Sequence, residues 1–471
     1  MTGPKASLVV ASNRGPFALS ARPDGSVEAR RGGGGLAPSL AAALEGREES
    51  VWVATAVTEA DRAAAGTDGM VETGEPGPRL RLVQLADDVL AAAYDAVANA
   101  TLWFCYHGLF DAARRPLLDR RFYEAWDDYR AYNTAFAEAI ADVADAGAIV
   151  FVNDYHLALA GATLASKRPD LATVHFSHTP FPPPGELAVL PPAVRLELLE
   201  SMAGFGACGF HTARWQSGFM QSCEEHGVTP PATFAAGLGA DVPRLELVVA
   251  SPGCRRRLAE LDDLVGDRML IVRSDRMELS KNLLRGFLAY DLLLEEHAGW
   301  RGRVVMLARA YPSRQGLPEY LAYRAEVEHL AERVNERWAT SDWRPIELAV
   351  DDDFTSTVAA FRRYDVLLVN PLRDGMNLVA KEGPSLNERD GVLVLSERAG
   401  AYDDLRGGCL GVHPFDVSAT SEALRLALEM PADERARRAA ALKEGASQLS
   451  PSDWLARVLL EAVRPGGVSG P

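Results

Sequence analysis

The feature that most constrains this chain is a series of seven short apolar runs, rich in β-branched residues and separated by helical patterns. The runs are continuous rather than alternating, which is typical of strands buried on both faces of a parallel sheet. Between them, apolar residues recur at helical spacing, as in Leu284, Phe287, Leu288 and Leu292. This alternation predicts an α/β fold with doubly wound parallel sheets. The predicted strands are 7–12, 148–153, 171–177, 269–274, 303–308, 366–370 and 392–396.

The chain has one clear change of composition along its length. Residues 227–243 are rich in Gly, Pro, Ala and Thr, and a new series of strand–helix units begins at Met269. With 471 residues available, we predict two Rossmann-like domains, 1–248 and 249–449. Ligands of such sheets bind beyond the carboxyl ends of the strands. Polar residues directly after the strands are therefore the site candidates, and a cleft between the domains is the expected active site.

Charge and composition argue against several classes of partner. The net charge is −16, and no dense block of Lys and Arg with interleaved aromatics suggests nucleic acid. No apolar run approaches the roughly 20 residues that span a bilayer, and the apolar run before Asn13 is too short for a signal-peptide core. The five cysteines are widely spaced without a CxxC pair. We therefore expect a cytoplasmic protein with no nucleic-acid or membrane partner and no zinc site.

The first half carries a glycine run after its first predicted strand, 7–12, and polar residues directly after two later strands. Residues 31–37 read RGGGGLA, and such a run lets backbone N–H groups approach an anion at a helix start. It matches the dinucleotide fingerprint only weakly, and a flexible glycine linker is the alternative. Asp154 and His156 follow the strand 148–153, and His178 ends the strand 171–177. A hydrogen-bonded core role is the alternative for each single histidine.

The second half carries two arginines and a lysine after its predicted strands. Arg276 and Lys281 flank a short loop that opens a helix, which fits a clamp for a diphosphate. A solvated basic pair is the alternative for this loop. Arg314 follows the strand 303–308 and could bring another positive charge to the site.

The most specific run is RDGMNLVAKE at 373–382. We expect Asp374 and Gly375 at a helix start, where free N–H groups hold phosphate. Glu382 is expected about two turns further along the same helix, where its carboxylate can accept hydrogen bonds from ribose hydroxyls. A plain helix cap is the alternative for the Asp-Gly-Met-Asn segment.

Taken together, these motifs resemble the trehalose-6-phosphate synthases, retaining glycosyltransferases in which two Rossmann-like domains face each other in the GT-B arrangement. The resemblance extends from SNR at 12–14 to HPFD at 413–416. Its most specific element is the run 373–382. Supporting elements are GGLA at 34–37, NDYHL at 153–157, HTPFP at 178–182, GFHT at 209–212, Arg276 with Lys281, and the spacing of Tyr94 and Trp103.

The resemblance implies transfer of glucose, with retention, from a nucleotide sugar to glucose 6-phosphate. The first domain would bind the acceptor and the second the nucleotide sugar, and a helix at about 450–471 would pack back on the first domain. Neither a metal nor a cofactor is implied, and the leaving phosphate would deprotonate the acceptor hydroxyl. The implied catalytic residues are Asp154, His178, Arg276, Lys281 and Asp374. The implied acceptor residues are Arg14, Tyr94, Trp103, Asp154 and Arg314. The implied donor residues are Gly34, Gly35, Arg276, Lys281, Asp374, Gly375, Met376, Asn377, Leu378, Val379 and Glu382.

The chain departs from the family pattern at Thr55, at Asn282 and at 250–254, where ASPGC replaces the family's PIGID-like segment. Thr55 stands where the family often has a tryptophan of the acceptor pocket, so acceptor packing is open. Asn282 follows Lys281 where users of UDP-glucose commonly have glycine. Asn282 and the segment NERD at 387–390 resemble guanine-nucleotide pseudo-glycosyltransferases. We therefore favour GDP-glucose over UDP-glucose as the donor.

Two other functions remain open at this point. One is a pseudo-glycosyltransferase that joins cyclitols through a C–N bond, as in validoxylamine phosphate synthesis. The other is a sugar-phosphate sensor without catalytic activity. The sequence is compatible with a homo-oligomer and does not fix the oligomeric state.

Overall fold

The chain forms two compact units in a computed structural model that describes residues 5–21, 27–31, 40–41, 43–44, 46–314 and 316–464. Unit 1 takes in the residues up to Gly237 together with those from Pro451 onward. Unit 2 is Leu238–Ser450. The predicted boundary at 248/249 lies inside the helix Val242–Ala250. The division comes earlier because this helix packs on the helices Phe354–Arg363 and Val379–Leu386 of unit 2.

Unit 1 is built on a sheet of eight described strands, all parallel except for one short edge strand. Across the sheet the order is Ala232–Ala235, Ala207–Phe210, Ala172–Ser177, Ala144–Asn153, Ala6–Ala11, Val51–Thr55, Arg79–Val83 and Met70–Val71. A separate antiparallel hairpin pairs Phe17–Ala21 with Val27–Arg31. The central strands are buried along their length because both faces are covered.

The helices of unit 1 show the expected amphipathic pattern. Asp119 caps the helix Arg120–Val143 by accepting hydrogen bonds from the N–H groups of Arg121 and Phe122. The described helices are Glu59–Ala64, Asp87–Ala91, the π-helix Ala92–Leu102, Trp103–His107, Arg120–Val143, the 3₁₀ turn Tyr155–Leu157, Ala160–Lys167, Pro184–Leu187, Pro192–Ala203, Ala213–Glu225 and Pro451–Val463.

The last helix belongs to unit 1 although it follows unit 2 in sequence. Trp454 is 1% exposed, and its indole N–H donates to the carbonyl of Ala236 at 3.0 Å. Its ring meets Phe176 edge-on, with centroids 4.8 Å apart. Burial of Trp454 together with Leu455, Val458 and Leu459 of the same helix stabilises its packing on unit 1.

Unit 2 contains a wholly parallel sheet of six described strands. Their order is Ile346–Ala349, Val304–Tyr311, Met269–Arg276, Val366–Val369, Val392–Ser396 and Leu410–Val412. Its described helices are Val242–Ala250, Pro252–Val265, the 3₁₀ turns Leu279–Lys281 and Ala298–Trp300, Leu283–Glu296, Pro318–Trp338, Phe354–Arg363, Val379–Leu386, Tyr402–Leu405, Val417–Leu428 and Ala432–Ala446.

The predicted class of two parallel-sheet α/β domains is confirmed, and every predicted apolar run contains a strand. Strand ends differ by a few residues: the strand predicted at 269–274 extends to Arg276. Among the described helices, none combines the length and the apolar character needed to cross a bilayer.

Candidate functional site

In unit 1, Asp154 lies directly beyond the carboxyl end of the strand Ala144–Asn153. Its backbone has φ 67°, a conformation that side-chain-bearing residues adopt rarely and that is concentrated at functional sites. Its carboxylate accepts hydrogen bonds from the N–H of His178 at 3.2 Å, the N–H of Thr179 at 3.3 Å and the hydroxyl of Thr179 at 3.1 Å. Burial raises the pKa of Asp154, and the Thr179 hydroxyl opposes that shift.

His178 stands next to Asp154 at the end of the neighbouring strand Ala172–Ser177. Its Nδ1 lies 3.2 Å from Nε2 of His211, and its Nε2 lies 3.0 Å from Oδ1 of Asn153. Burial lowers the pKa of His178 well below its ordinary value, and the neighbouring His211 adds to this. Both ring nitrogens of this neutral imidazole therefore have protein partners, and the backbone N–H of His178 helps to fix the Asp154 carboxylate.

A buried hydrogen-bond network lies at the ends of the strands Ala6–Ala11 and Val51–Thr55. The hydroxyl of Thr55 is 2.8 Å from the phenol of Tyr132, which in turn donates to Oδ1 of Asn13 at 2.8 Å. The Thr55 side chain is therefore part of the packing beneath this edge of the sheet. Thr55 is only 3% exposed, so it offers little surface to a ligand.

The structure brings Arg14 and Tyr94 close to that network. Burial raises the pKa of Tyr132. Tyr94 raises this pKa further and Arg14 lowers it, each by less than burial does. Arg14 is exposed, and the ring of Tyr94 stacks on His156 with centroids 5.6 Å apart. Trp103 is 2% exposed and packs on His107 at 4.3 Å, so it presents far less surface than Arg14. The predicted donor residues Gly34 and Gly35 lie outside the described residues.

In unit 2, Lys281 and Asp374 meet beyond the carboxyl ends of two neighbouring strands. The Lys281 ammonium is 2.5 Å from Oδ2 of Asp374, and both side chains are mostly buried. The side-chain amide of Asn377 donates to the same oxygen at 3.0 Å. Asn377 also accepts from the N–H of Ala380 at 3.1 Å through Oδ1. The pair is thus held against the start of a helix.

That helix begins at Val379, so the prediction that Asp374 and Gly375 sit at its start is wrong. Asp374 instead makes a parallel bridge to Ala399, and Asn377 has φ 78°, which interrupts helical geometry. Among described residues, no acceptor takes the N–H groups of Leu378 and Val379. These N–H groups make the helix start a place where an anion can bind.

Arg276 and Arg314 converge on one buried carboxylate, Glu278, which is 1% exposed. Its Oε1 lies 3.2 Å from Nη1 of Arg276 and 3.7 Å from Nη1 of Arg314, and accepts from the Ser313 hydroxyl at 3.0 Å. The Arg276 side chain remains 56% exposed. Glu278 was not a sequence candidate, although an acidic residue between two basic residues of one loop is a signal that could have found it.

Glu382 lies in the first turn of the helix Val379–Leu386, and not two turns along it as predicted, because the helix starts later. Burial raises its pKa to about 7, while Arg244 lowers it and Asp241 raises it. A carboxylate with this pKa changes its charge near neutral pH.

We expect donor affinity to depend on pH through Glu382. Above about pH 7 the carboxylate is ionised and can accept hydrogen bonds from two ribose hydroxyls, whereas the protonated acid loses acceptor capacity. Affinity for a nucleoside diphosphate glucose should therefore fall as pH drops from about 8 to about 6. Calorimetric titration of wild type and Glu382→Gln checks this. The expectation is contradicted if the Gln variant keeps the same pH dependence.

The two features that favoured a guanine nucleotide have local structural roles. Asn282 has φ 59°, where Gly and Asn are the residues tolerated best. Its amide donates to the carbonyls of Asn370 at 3.0 Å and Pro414 at 2.7 Å. Asn387 donates to the carbonyls of Phe361 and Tyr364. Both amides bind the protein's own backbone.

No cluster of three or more His, Cys, Asp or Glu side chains suited to a metal ion occurs in the described parts of the chain. A site without metal or cofactor stays a prediction.

The chain matches the profile of "Glycosyltransferase family 20" over residues 6–463. It is 33% identical to the bifunctional trehalose-6-phosphate synthase/phosphatase of Thermoproteus tenax, with 93% of this chain aligned and 61% of that protein's length spanned.

Two solved structures extend the comparison. One is the Escherichia coli protein described as trehalose-6-phosphate bound with UDP-2-fluoro glucose, at TM-score 0.84, 27% identity and coverage of 97% of this chain and 99% of that chain. The other is the UDP-forming α,α-trehalose-phosphate synthase of Burkholderia xenovorans in complex with glucose 6-phosphate, with the same TM-score, identity and coverages. These likenesses confirm the predicted GT-B fold class.

Proposed function

This chain belongs to glycosyltransferase family 20, and we propose that it transfers glucose with retention from a nucleoside diphosphate glucose to glucose 6-phosphate, forming trehalose 6-phosphate. The observation that carries this proposal is the contact of Lys281 with Asp374, beside Asn377 at the start of the helix Val379–Leu386. A cation next to unpaired helix N–H groups suits a diphosphate leaving group, on which negative charge develops.

The reaction breaks the bond between C1 of glucose and the diphosphate oxygen and forms a bond from C1 to the acceptor oxygen. Lys281 and Arg276 stabilise the charge that develops on the leaving diphosphate. The acceptor proton passes to that diphosphate on the same face of the sugar, so no carboxylate nucleophile is required, unlike in retaining glycosidases. In unit 2, Asp374 would bind hydroxyls of the donor glucose, and Met376, Leu378 and Val379 would contribute backbone at the diphosphate.

For the acceptor, we propose that Asp154 binds sugar hydroxyls and that Arg14 binds the phosphate. The Asp154 carboxylate is fixed by the three hydrogen bonds from His178 and Thr179, which is the pre-organisation that positioning needs. Arg14 is exposed and supplies the planar guanidinium that suits phosphate. The Burkholderia xenovorans relative is described with glucose 6-phosphate.

We further propose UDP-glucose as a donor. Asn282 and Asn387, which favoured GDP-glucose at the sequence level, contact backbone carbonyls and so give no support for either base. The relatives described with a donor nucleotide are UDP-forming or bound to a UDP sugar. The base preference thus rests on relatives and not on a residue of this chain.

Replacing Asn282 with glycine should leave the choice of base unchanged. Glycine adopts φ 59° without strain, so the loop is retained, and loss of the three side-chain hydrogen bonds with Asn370, Pro414 and Arg285 lowers the melting temperature by several degrees. Initial rates with UDP-glucose and GDP-glucose, measured in parallel, check this. A reversal of the preferred base in Asn282→Gly would show that this residue does read the nucleotide.

The test of the function is release of nucleoside diphosphate from UDP-, GDP- and ADP-glucose, each with and without glucose 6-phosphate. We expect release that depends on glucose 6-phosphate with one preferred donor. Tight binding of glucose 6-phosphate without release would favour a sensor. Release only with a cyclitol acceptor would favour the pseudo-glycosyltransferase.

A further inference from the structure

Behind the loop that carries Lys281 lies a fully buried guanidinium. Arg273 belongs to the strand Met269–Arg276 and is 0% exposed. Its Nε and Nη2 both donate to Oδ2 of Asp275, at 3.0 and 2.8 Å, and Asp275 is itself 5% exposed. Burying a charged pair is costly unless geometry and further hydrogen bonds repay it. The cost of burying this pair indicates that it has a role besides packing.

The remaining donors of Arg273 reach the backbone of the loop. Nη2 donates to the carbonyl of Lys281 at 3.0 Å, and Nη1 lies 3.5 Å from the carbonyl of Leu283. The N–H of Leu283 donates to the phenol of Tyr323 at 2.8 Å. Arg273 and Tyr323 thus hydrogen-bond to the main chain of the turn, and the Lys281 side chain contacts Asp374.

The neighbouring helix leaves room for this guanidinium at a glycine. A Cβ on Gly286 would lie 2.0 Å from Nη1 of Arg273, so any other residue there would displace the side chain. Asp275 also acts on Lys281 electrostatically: burial raises the pKa of Asp275, while Arg273 and then Lys281 lower it. Arg273 offsets a carboxylate that would otherwise compete with Asp374 for the Lys281 ammonium.

We infer that Arg273 is a positioning residue that sets the place of Lys281 by holding the Lys281 carbonyl and neutralising Asp275. This inference rests on the proposed function only for its effect on turnover. The chain offers a control: Arg363, the last residue of the helix Phe354–Arg363, is 8% exposed and pairs with Asp365, two residues on, at 3.4 Å and with Asp262 at 2.7 Å.

The test compares Arg273→Lys with Arg363→Lys. Lysine keeps the charge beside Asp275, but it lacks the fork that reaches Asp275 and the Lys281 carbonyl together. We expect kcat to fall by about tenfold or more in Arg273→Lys, since small misplacements of a catalytic group cost this much, with the KM for glucose 6-phosphate within about twofold. Arg363→Lys should leave kcat within about twofold of wild type.

Two further readouts separate positioning from a purely structural role. Amide hydrogen exchange over 279–283 should quicken in Arg273→Lys and not in Arg363→Lys. Relative to Lys281→Ala alone, the double variant with Arg273→Lys should lose less than about a further twofold in kcat, because Arg273 acts on kcat through Lys281. If Arg273→Lys does not fold, the variant Arg273→Gln with Asp275→Asn, which leaves no lone buried charge, takes its place.

The inference is overturned if amide exchange over 279–283 is unchanged in Arg273→Lys, or if Arg363→Lys loses as much kcat as Arg273→Lys. It is also overturned if Arg273→Lys lowers kcat by the same factor in the Lys281→Ala variant as in wild type. A wild-type protein without transferase activity would contradict the proposed function instead. In that case the exchange experiment alone would still decide whether Arg273 holds the turn.

Discussion

Lys281→Ala is expected to lower kcat by about 10²- to 10³-fold while the protein stays folded. The Lys281 ammonium lies 2.5 Å from Asp374 and would stabilise the charge that develops on the leaving diphosphate. Loss of one such group costs about this factor in other enzymes because the interaction strengthens in the transition state. Steady-state rates at saturating donor and acceptor, with circular dichroism to verify folding, check the expectation.

Lys167 provides the matched control for this experiment. It also pairs with a carboxylate, that of Glu138, but its side chain is 47% exposed on the helix Ala160–Lys167 of unit 1. Lys167→Ala should keep kcat within about twofold of wild type, because exposed ion pairs contribute little. A Lys281→Ala variant as active as Lys167→Ala would remove Lys281 from the mechanism.

Asp154→Asn is expected to lower kcat/KM for glucose 6-phosphate by about 10- to 100-fold, the range that charged hydrogen bonds contribute. Asparagine has the same shape as aspartate, so it adds no new strain to the backbone at φ 67°, ψ 171°, and it still accepts hydrogen bonds from His178 and Thr179 through Oδ1. The backbone and the neighbouring loop are therefore retained, and only the charge and one acceptor oxygen are lost.

The same variant should be no less stable than wild type at neutral pH. Burial raises the pKa of Asp154, so the folded protein holds this proton more tightly than the unfolded chain does. Above the pKa of the unfolded chain, this difference destabilises the folded state. That cost grows as pH rises toward the folded pKa, and a neutral amide removes it. Thermal unfolding at pH 7, beside initial rates, checks both parts.

Asp390 is the control for Asp154, since it too has positive φ, 50°, but is exposed in unit 2. Asp390→Asn should change neither kcat/KM nor the melting temperature appreciably. If Asp154→Asn behaves like Asp390→Asn in the kinetic assay, the Asp154 carboxylate has only a structural role.

The continuous apolar runs were sufficient to predict the parallel sheets, because strands buried on both faces need such runs. Two strands at one side of the unit 1 sheet, Ala207–Phe210 and Ala232–Ala235, were not predicted. Their sequences, ACGF and ATFA, contain few β-branched residues, and they are strands because neighbours pair with them.

The sequence predicted some residues of the candidate site but not the contacts that hold them. Residues that follow strands directly, such as Asp154 and Lys281, are visible in sequence because parallel strands end at a common edge. The start of the helix at Val379 was not, because it depends on the positive φ of Asn377. The roles of Glu278 and Arg273 depend on contacts across the loop, which spacing alone does not show.

The measurement that tests the central claim most directly is proton NMR of the disaccharide phosphate formed by the wild-type protein from UDP-glucose and glucose 6-phosphate. Transfer with retention to the anomeric hydroxyl of glucose 6-phosphate in its α form predicts a non-reducing product whose two anomeric protons both show the small coupling constant of α linkages. A β-linked product, or hydrolysis of UDP-glucose without a disaccharide, would contradict the proposed chemistry.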